Sequence, residues 1–317
     1  MNNYPPRGLI VNLITPLNEE GQPDQQALTW LIRRIRNKVS AILAGSLRIG
    51  EAHSLKLDDR LAILNEALTG VGDSSPLFFE ITGSSEAETI ELLSRAETLL
   101  KKRNPDIDVY YLLTPLIYHS NRNLPDHLKD LGKGTNRPLI LSNNPVLVRK
   151  FSSAIKHINI RTSVLKKISP NEQVVGLEFH GDISRALNYQ RALKSRGNFR
   201  FYDGDESNFI AQPSSSGLIS CGANLLPEAW MDVVNSSLDI YEGKRMYPDH
   251  LSHIWQDGQM VRRLYALYKP NPPVLLKKSL ELMGLIPRAR TASSEEKLSA
   301  QALAALEAEL ESFNLLN

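Results

Sequence analysis

Polar side chains that could bind a ligand or transfer protons lie at the ends of short apolar runs in this sequence. The candidates for such a site are Arg48, Ile49, Gly50, Glu51, Glu80, Tyr118, Asn143, His180, Asp203 and Asp205. Arg48 carries a planar guanidinium, which suits two parallel hydrogen bonds to a carboxylate or phosphate. Carboxyl, phenol and imidazole groups can carry protons to and from a substrate. The set therefore indicates a site for a small acid.

The role of Arg48 has two interpretations at this stage. Its guanidinium could hold the anionic group of a ligand. Alternatively, it could pair inside the protein with Glu80 or Glu51, because a buried arginine needs an anion beside it.

Three other kinds of chemistry have weak support in the sequence. His180, Asp203, Asp205 and Glu206 carry atoms that can ligate a metal, but their spacing is unspecific, so no metal is expected. Ser142 lacks the Gly-x-Ser-x-Gly turn that exposes a nucleophilic serine. No feature of the chain indicates a cofactor.

The elements that must position these residues follow a regular alternation. Strand-like runs such as GLIVNLITPL and PLFFEITG are each followed by a helix-like run, such as DQQALTWLIRRIRNK with Asp24 as its N-cap. Eight such βα units without a linker predict an α/β fold, a closed (β/α)8 TIM barrel with a C-terminal helical extension. We expect the barrel over residues 1–232 and a helical domain over 233–317. Reactive residues of such barrels lie at the C-terminal ends of the strands.

Composition narrows the partners and the compartment. The net charge of +2 gives no basic field suited to nucleic acid. No run of 18 apolar residues predicts a membrane span, and residues 1–7 lack the apolar core of a signal peptide. The single cysteine, Cys221, fits a reducing compartment, so the cytoplasm is the expected location.

Eight short segments, in this order, resemble one known family. They are LITPLNEEG, LRIGE for that family's GTTGE, TPLIY for TPYY, SNNP for YNVP, GLEF for GIKE, YDGDE for SGDD, GLISCGANLLPE, and NPPVLLKKSLELMGL. The chain is similar to the dihydrodipicolinate synthase / N-acetylneuraminate lyase family of the class I pyruvate-dependent aldolases. The resemblance covers roughly residues 7–290.

This resemblance implies a mechanism and an assembly. A lysine on strand six would attack the carbonyl of pyruvate or a related 2-keto acid and form a Schiff base, which makes the neighbouring carbon acidic. A tyrosine on strand five would relay protons, and two threonines after strand two would hold the tyrosine and the carboxylate. The family resemblance also implies a homodimer or homotetramer.

The sequence departs from the family at the reacting positions. The lysine position is assigned to Leu177, the tyrosine position to Ser142, and the threonine positions to Arg48 and Ile49. Leu177 and Phe179 share one face of the strand, so they either make the pocket more apolar or simply fill the core. These assignments predict a diverged or inactive homologue that cannot form the Schiff base and binds a small carboxylate. The alternative is a carbon–carbon lyase or synthase that acts on a 2-keto acid without a covalent intermediate.

Overall fold

The computed structural model describes residues 4–72, 75–103, 107–116, 122–151, 157–213, 215–240, 249–292 and 298–316. Eight parallel strands close into a barrel, each paired with the next and the last with the first. The strands are β1 (Gly8–Asn12), β2 (Ala41–Ala44), β3 (Leu77–Glu80), β4 (Val109–Leu113), β5 (Leu139–Asn143), β6 (Val174–Phe179), β7 (Arg200–Asp203) and β8 (Gly217–Ser220). The predicted TIM barrel is confirmed.

Helices connect the strands and continue beyond the last one. They are α1 (Gln25–Ile35), α2 (Leu57–Val71), α3 (Glu86–Arg103), α4 (Leu124–Gly134), α5 (Pro145–Phe151), α6 (Thr162–Ile168), α7 (Ile183–Leu193), α8 (Glu206–Ala211), α9 (Pro227–Leu238), α10 (Asp249–Tyr268), α11 (Pro272–Leu282) and α12 (Ala300–Ser312). The predicted N-cap of α1 is confirmed, since Asp24 Oδ1 accepts the Ala27 N–H at 3.0 Å. None of these described helices has the length and apolar character that a membrane crossing requires.

The C-terminal helices are in contact with the barrel. Helix α9 packs against β1 and β8, and α10 packs against both α9 and α8. The division expected between residues 232 and 233 falls inside α9. That division stays a prediction.

Apolar side chains form two layers. One cluster consists only of strand residues and fills the barrel; it includes Ile10, Phe78 and Val175. The other combines the opposite faces of the strands with the surrounding helices. This arrangement follows from the two-residue period of a strand, which sends successive side chains to opposite faces.

A buried ion pair joins the loop after β2 to α11. Lys277 Nζ donates to Glu51 Oε2, and it also donates to the Arg290 carbonyl at 2.8 Å. The other carboxylate oxygen of Glu51 accepts the Ala292 N–H at 2.8 Å. Lys277 is fully buried and Glu51 nearly so. The pair therefore fixes the position of the loop that carries Arg48.

Lys277→Met tests this anchor. The substitution leaves the Glu51 carboxylate buried without its cation, which should lower the free energy of unfolding by about 3–5 kcal/mol. Urea denaturation followed by circular dichroism measures the change. Lys38→Met, which breaks the partly exposed Lys38–Glu228 pair, is the matched control and should shift the midpoint little. Equal shifts for the two variants would contradict the anchoring role.

Candidate functional site

A cavity of about 320 Å³ lies at the C-terminal ends of the barrel strands. Side chains that can hold charge or donate hydrogen bonds line it. They include Arg48, Glu80, Ser142, Glu178, His180 and Glu206. These residues come from different parts of the chain, and only the closure of the barrel brings them together. The cavity has the position at which TIM barrels carry their active sites.

Strand β6 presents Glu178 to the cavity, not Leu177. The register against β5 shifts by one residue: Leu139 pairs with Val174, but Ile140 pairs with Gly176. Such a β-bulge places an extra residue, here Val175, and exchanges the faces of all residues that follow.

Of the two interpretations of Leu177 and Phe179, the structure agrees with core filling, and the one in which they line the pocket is wrong. They do share one face of the strand, but both pack in the cluster between the strands and the helices. Glu178, the residue between them, lines the cavity.

Glu178 is bound by two neighbours. Ser142 Oγ on the adjacent strand donates to Oε2 at 2.5 Å, and His180 Nε2 lies 3.2 Å from Oε1. Burial acts to raise the pKa of Glu178, but the charge and hydrogen bond of His180 and the bond from Ser142 outweigh it, so the pKa is lowered. For His180, burial acts to lower the pKa, but Glu178, Asp203 and Asp205 raise it overall. The two side chains form an ionised pair.

Glu80 is a second buried carboxyl, and its charge state differs. It accepts hydrogen bonds from Thr114 Oγ1 at 2.6 Å, from Thr82 Oγ1 at 3.0 Å and from the Leu47 N–H at 2.9 Å. Burial raises the pKa of Glu80 to about 7, with a further rise from the nearby Glu178 charge, against the lowering effect of these hydrogen bonds. Glu80 can therefore give or take a proton near neutral pH.

Glu206 is the third buried carboxyl, and each of its two oxygens accepts two hydrogen bonds from the protein. Oε1 accepts from Ser220 Oγ at 2.5 Å and from the Gly222 N–H at 2.7 Å. Oε2 accepts from Tyr268 Oη at 2.6 Å and from Cys221 Sγ at 3.8 Å. Burial raises the pKa of Glu206 despite these bonds. A side chain at Gly222 would meet the Tyr268 hydroxyl at 2.1 Å, so this arrangement requires glycine.

Arg48 pairs with neither of its predicted internal partners. Glu51 is taken by Lys277, and Glu80 is held by the three donors described above. Within the part of the chain that the structure describes, the Arg48 guanidinium has no hydrogen-bond or ion-pair partner, although the Arg48 carbonyl accepts the Glu51 N–H at 3.3 Å. Its side chain is half-buried and lines the cavity, and its charge lowers the pKa of the nearby Cys221 thiol against the dominant effect of burial. Of the two interpretations, the geometry favours the ligand site.

Of the remaining candidates after β2, only Ile49 lines the cavity. Gly50 donates its N–H to Ser46 Oγ at 2.9 Å, and its carbonyl accepts from Thr15 Oγ1 at 2.8 Å. Glu51 belongs to the ion pair with Lys277. Gly50 and Glu51 thus hold the loop in place, and the expectation that they contact a ligand is not supported by their position.

The candidates on β5 and β7 differ in role. Asn143 does not line the cavity. Its side chain accepts the Ile160 N–H at 2.8 Å and donates to the His180 carbonyl at 3.3 Å, so it holds the segments around these two residues in place. Asp205 lines the cavity and also caps α8. Asp203 lies behind it, with a pKa raised by burial to about 6. Tyr118 lies outside the described residues.

A potential metal-binding cluster occurs elsewhere. Ligand atoms of Asp232, His253 and Asp257 lie within 4.8 Å of one another between α9 and α10, and none of the three lines the cavity. No such group of three, within the described ranges, is formed by His180, Asp203 and Asp205.

Comparison with known proteins identifies the family and agrees with the barrel fold. The sequence profile of the Dihydrodipicolinate synthetase family matches residues 5–312. The chain belongs to this family. The segment GLEF, residues 176–179, can therefore be compared with the family's GIKE position by position. The lysine of GIKE then matches Glu178. The assignment of the lysine position to Leu177 is wrong by one residue.

Individual family members are distant in sequence and close in fold. The 4-hydroxy-tetrahydrodipicolinate synthase of Dichelobacter nodosus is 24% identical over 288 residues, which are 88% of each chain. Dihydrodipicolinate synthase from Aquifex aeolicus has a TM-score of 0.81 at 19% identity, over 98% of this chain and 99% of that one. A prophage family protein from E. coli K12, solved in complex with pyruvate, has a TM-score of 0.80 at 18% identity, over 98% and 99%.

Sequence reasoning missed Glu178 and Tyr268. The letter-for-letter match with GIKE was the available signal for Glu178. Tyr268 lies on α10, far along the chain from β7, and no local pattern points from it to Glu206.

The raised pKa of Glu80 predicts a pH-dependent stability. The folded protein keeps the Glu80 proton up to about pH 7, whereas the unfolded chain releases it near 4.5, so the free energy of unfolding falls as pH rises through this window. The loss amounts to about 3 kcal/mol. Urea denaturation between pH 4.5 and 8 should show this fall for the native chain and a fall smaller by that amount for Glu80→Gln. Parallel curves for the two proteins would contradict the assignment.

Proposed function

We propose that this family member binds a small carboxylate in the barrel cavity and does not form the family's Schiff base. The observation that carries the proposal is the cavity-facing Glu178 at the position that matches the lysine of GIKE. A Schiff base needs a primary amine, and a carboxylate has no nitrogen to attack a ketone. Ser142, at the tyrosine position, donates its hydroxyl proton to Glu178.

Among the residues that the structure describes, no lysine lies where it could form the Schiff base. Lys269 lines the rim of the cavity, but it is exposed and lies over the ring of Tyr265 at 5.4 Å. Lys277 is buried in its ion pair with Glu51.

Arg48 is the expected anchor for the ligand's carboxylate. It is a half-buried guanidinium on the cavity wall without an internal partner, and such a fork can bind a carboxylate through two hydrogen bonds. The E. coli prophage relative was solved in complex with pyruvate, which supports a small acid as the ligand.

A second function is favoured by the carboxyl pair of Glu80 and Glu178. Their surroundings move their pKa values in opposite directions, up to about 7 for Glu80 and down for Glu178. Such a pair can supply an acid and a base at one pH. The cavity could therefore catalyse a non-covalent carbon–carbon cleavage or condensation of a 2-keto acid, with Glu178 as base and Glu80 as acid.

For the assembly we propose a homodimer or homotetramer, as the family resemblance implies. The single cysteine fits a reducing compartment such as the cytoplasm.

Borohydride trapping tests the absence of a Schiff base. The chain is incubated with pyruvate and sodium borohydride, and intact mass is measured. We expect no reduced pyruvate adduct, because Glu178 and not a lysine occupies the position that matches the reacting lysine of the family. A family member that carries the strand-six lysine is the positive control. A stoichiometric adduct on the native chain, mapped to any lysine of the cavity, would contradict the proposal.

Thermal shift tests the role of Arg48. A panel of pyruvate, other 2-keto acids, sugar acids and amino acids should contain a ligand that stabilises the chain. At about a hundred times its dissociation constant, this ligand adds roughly 2.7 kcal/mol and raises Tm by a few degrees. Arg48→Ala should abolish the shift, whereas Arg33→Ala, at an exposed arginine of α1, should retain it. A shift that survives Arg48→Ala would place the ligand elsewhere.

A further inference from the structure

The charged side chains that line the cavity are of both signs and come from the ends of different strands. Three buried carboxyls, Glu80, Glu178 and Glu206, belong to β3, β6 and the start of α8. Among the described residues that line the cavity, two cations lack an ion-pair partner: Arg48, after β2, which is half-buried, and Lys269, which is exposed at the rim over the ring of Tyr265. The Arg48 charge acts on Cys221, which follows β8, whereas the groups that act on Glu178 are His180 and Ser142. A ligand that satisfies both regions needs an anionic group and a cationic group.

The three carboxyls differ in how many further hydrogen bonds they can accept. A carboxylate has about four acceptor positions. Glu206 accepts four hydrogen bonds and Glu80 accepts three, all from the protein. Glu178 accepts only two, from Ser142 and His180. Glu178 is therefore the carboxyl with the most room for a donor from a ligand.

The group that best fits this position is an ammonium. It brings a positive charge and three N–H donors, and charged hydrogen bonds to a buried carboxylate are the strong ones. A ketone oxygen at the same place would bring only lone pairs against the lone pairs of Glu178. The hydroxyl proton of Ser142 cannot compensate, because it is already donated to Glu178.

We propose that the ligand of this cavity is a small amino acid, bound through its carboxylate to Arg48 and through its ammonium to Glu178. The proposal rests on the proposed function, since it takes the carboxylate anchor from it. A cavity of about 320 Å³ has room for a compact molecule of this kind. The amino acid would thus replace the 2-keto acid that the family resemblance implies.

Glu80 gives this proposal a pH signature. Glu178 of β6 and Arg60 of α2 are the charged groups that face Glu80. Glu178 itself faces His180, which in turn faces Asp203 and Asp205. An ammonium in the cavity stabilises ionised Glu80, so amino acids should bind more tightly as pH rises from 6 to 8. A plain carboxylate is repelled by the same ionisation and should bind more weakly over that range.

The experiment compares matched pairs of ligands that differ only in the group on the second carbon. Isothermal titration calorimetry is run with alanine and pyruvate, valine and its 2-oxo acid, and glutamate and 2-oxoglutarate, at pH 6 and pH 8. We expect at least one amino acid to bind about tenfold or more tightly than its 2-oxo partner at pH 8. Glu178→Gln should remove this preference, and circular dichroism together with an unchanged Tm shows that the variant is folded. Glu172→Gln, at an exposed glutamate, should keep the preference.

The outcomes separate this proposal from the one on which it rests. If 2-oxo acids bind in an Arg48-dependent manner and amino acids bind no better, the amino acid proposal is overturned and the carboxylate site stands. If the preference for amino acids persists in Glu178→Gln, the ammonium does not contact Glu178 and the proposal fails. If no acid of either kind binds, both proposals are rejected.

Discussion

The β-bulge at Val175 determines which side chains of β6 reach the barrel cavity. With Leu139 opposite Val174 and Ile140 opposite Gly176, the strand turns Glu178 inward and Leu177 outward. A carboxylate inside a barrel is costly unless donors surround it. The hydroxyl of Ser142, on the neighbouring strand β5, and the ring of His180, directly after β6, supply these donors.

The other charges of the cavity follow from this placement. The ionised Glu178 helps to raise the pKa of Glu80, which therefore holds its proton to about pH 7. Glu206 is stabilised by four donors, one of them the Tyr268 hydroxyl from the C-terminal helices. Arg48 stays available because Lys277 neutralises Glu51, the anion nearest to it in sequence. The result is a polar cavity with an unpaired cation on its wall.

Much of the fold could be predicted from the sequence, because it depends on local patterns. Alternating apolar runs gave eight strands, and a capping aspartate marked the start of α1. The orientation of β6 could not be obtained this way, because a bulge leaves the sequence pattern unchanged while it exchanges the faces. The absence of an internal partner for Arg48 could not be predicted either. It depends on Lys277, which binds Glu51 from more than two hundred residues away along the chain.

The most direct test of this account is a crystal structure of the ligand-free chain at neutral pH. We predict a Glu178 carboxylate in the barrel mouth, within hydrogen-bond distance of Ser142 and His180, and an Arg48 guanidinium that faces the cavity without a protein partner. A structure with Leu177 in the mouth and Glu178 turned toward the helices would contradict the central claim. So would an Arg48 side chain paired with Glu80.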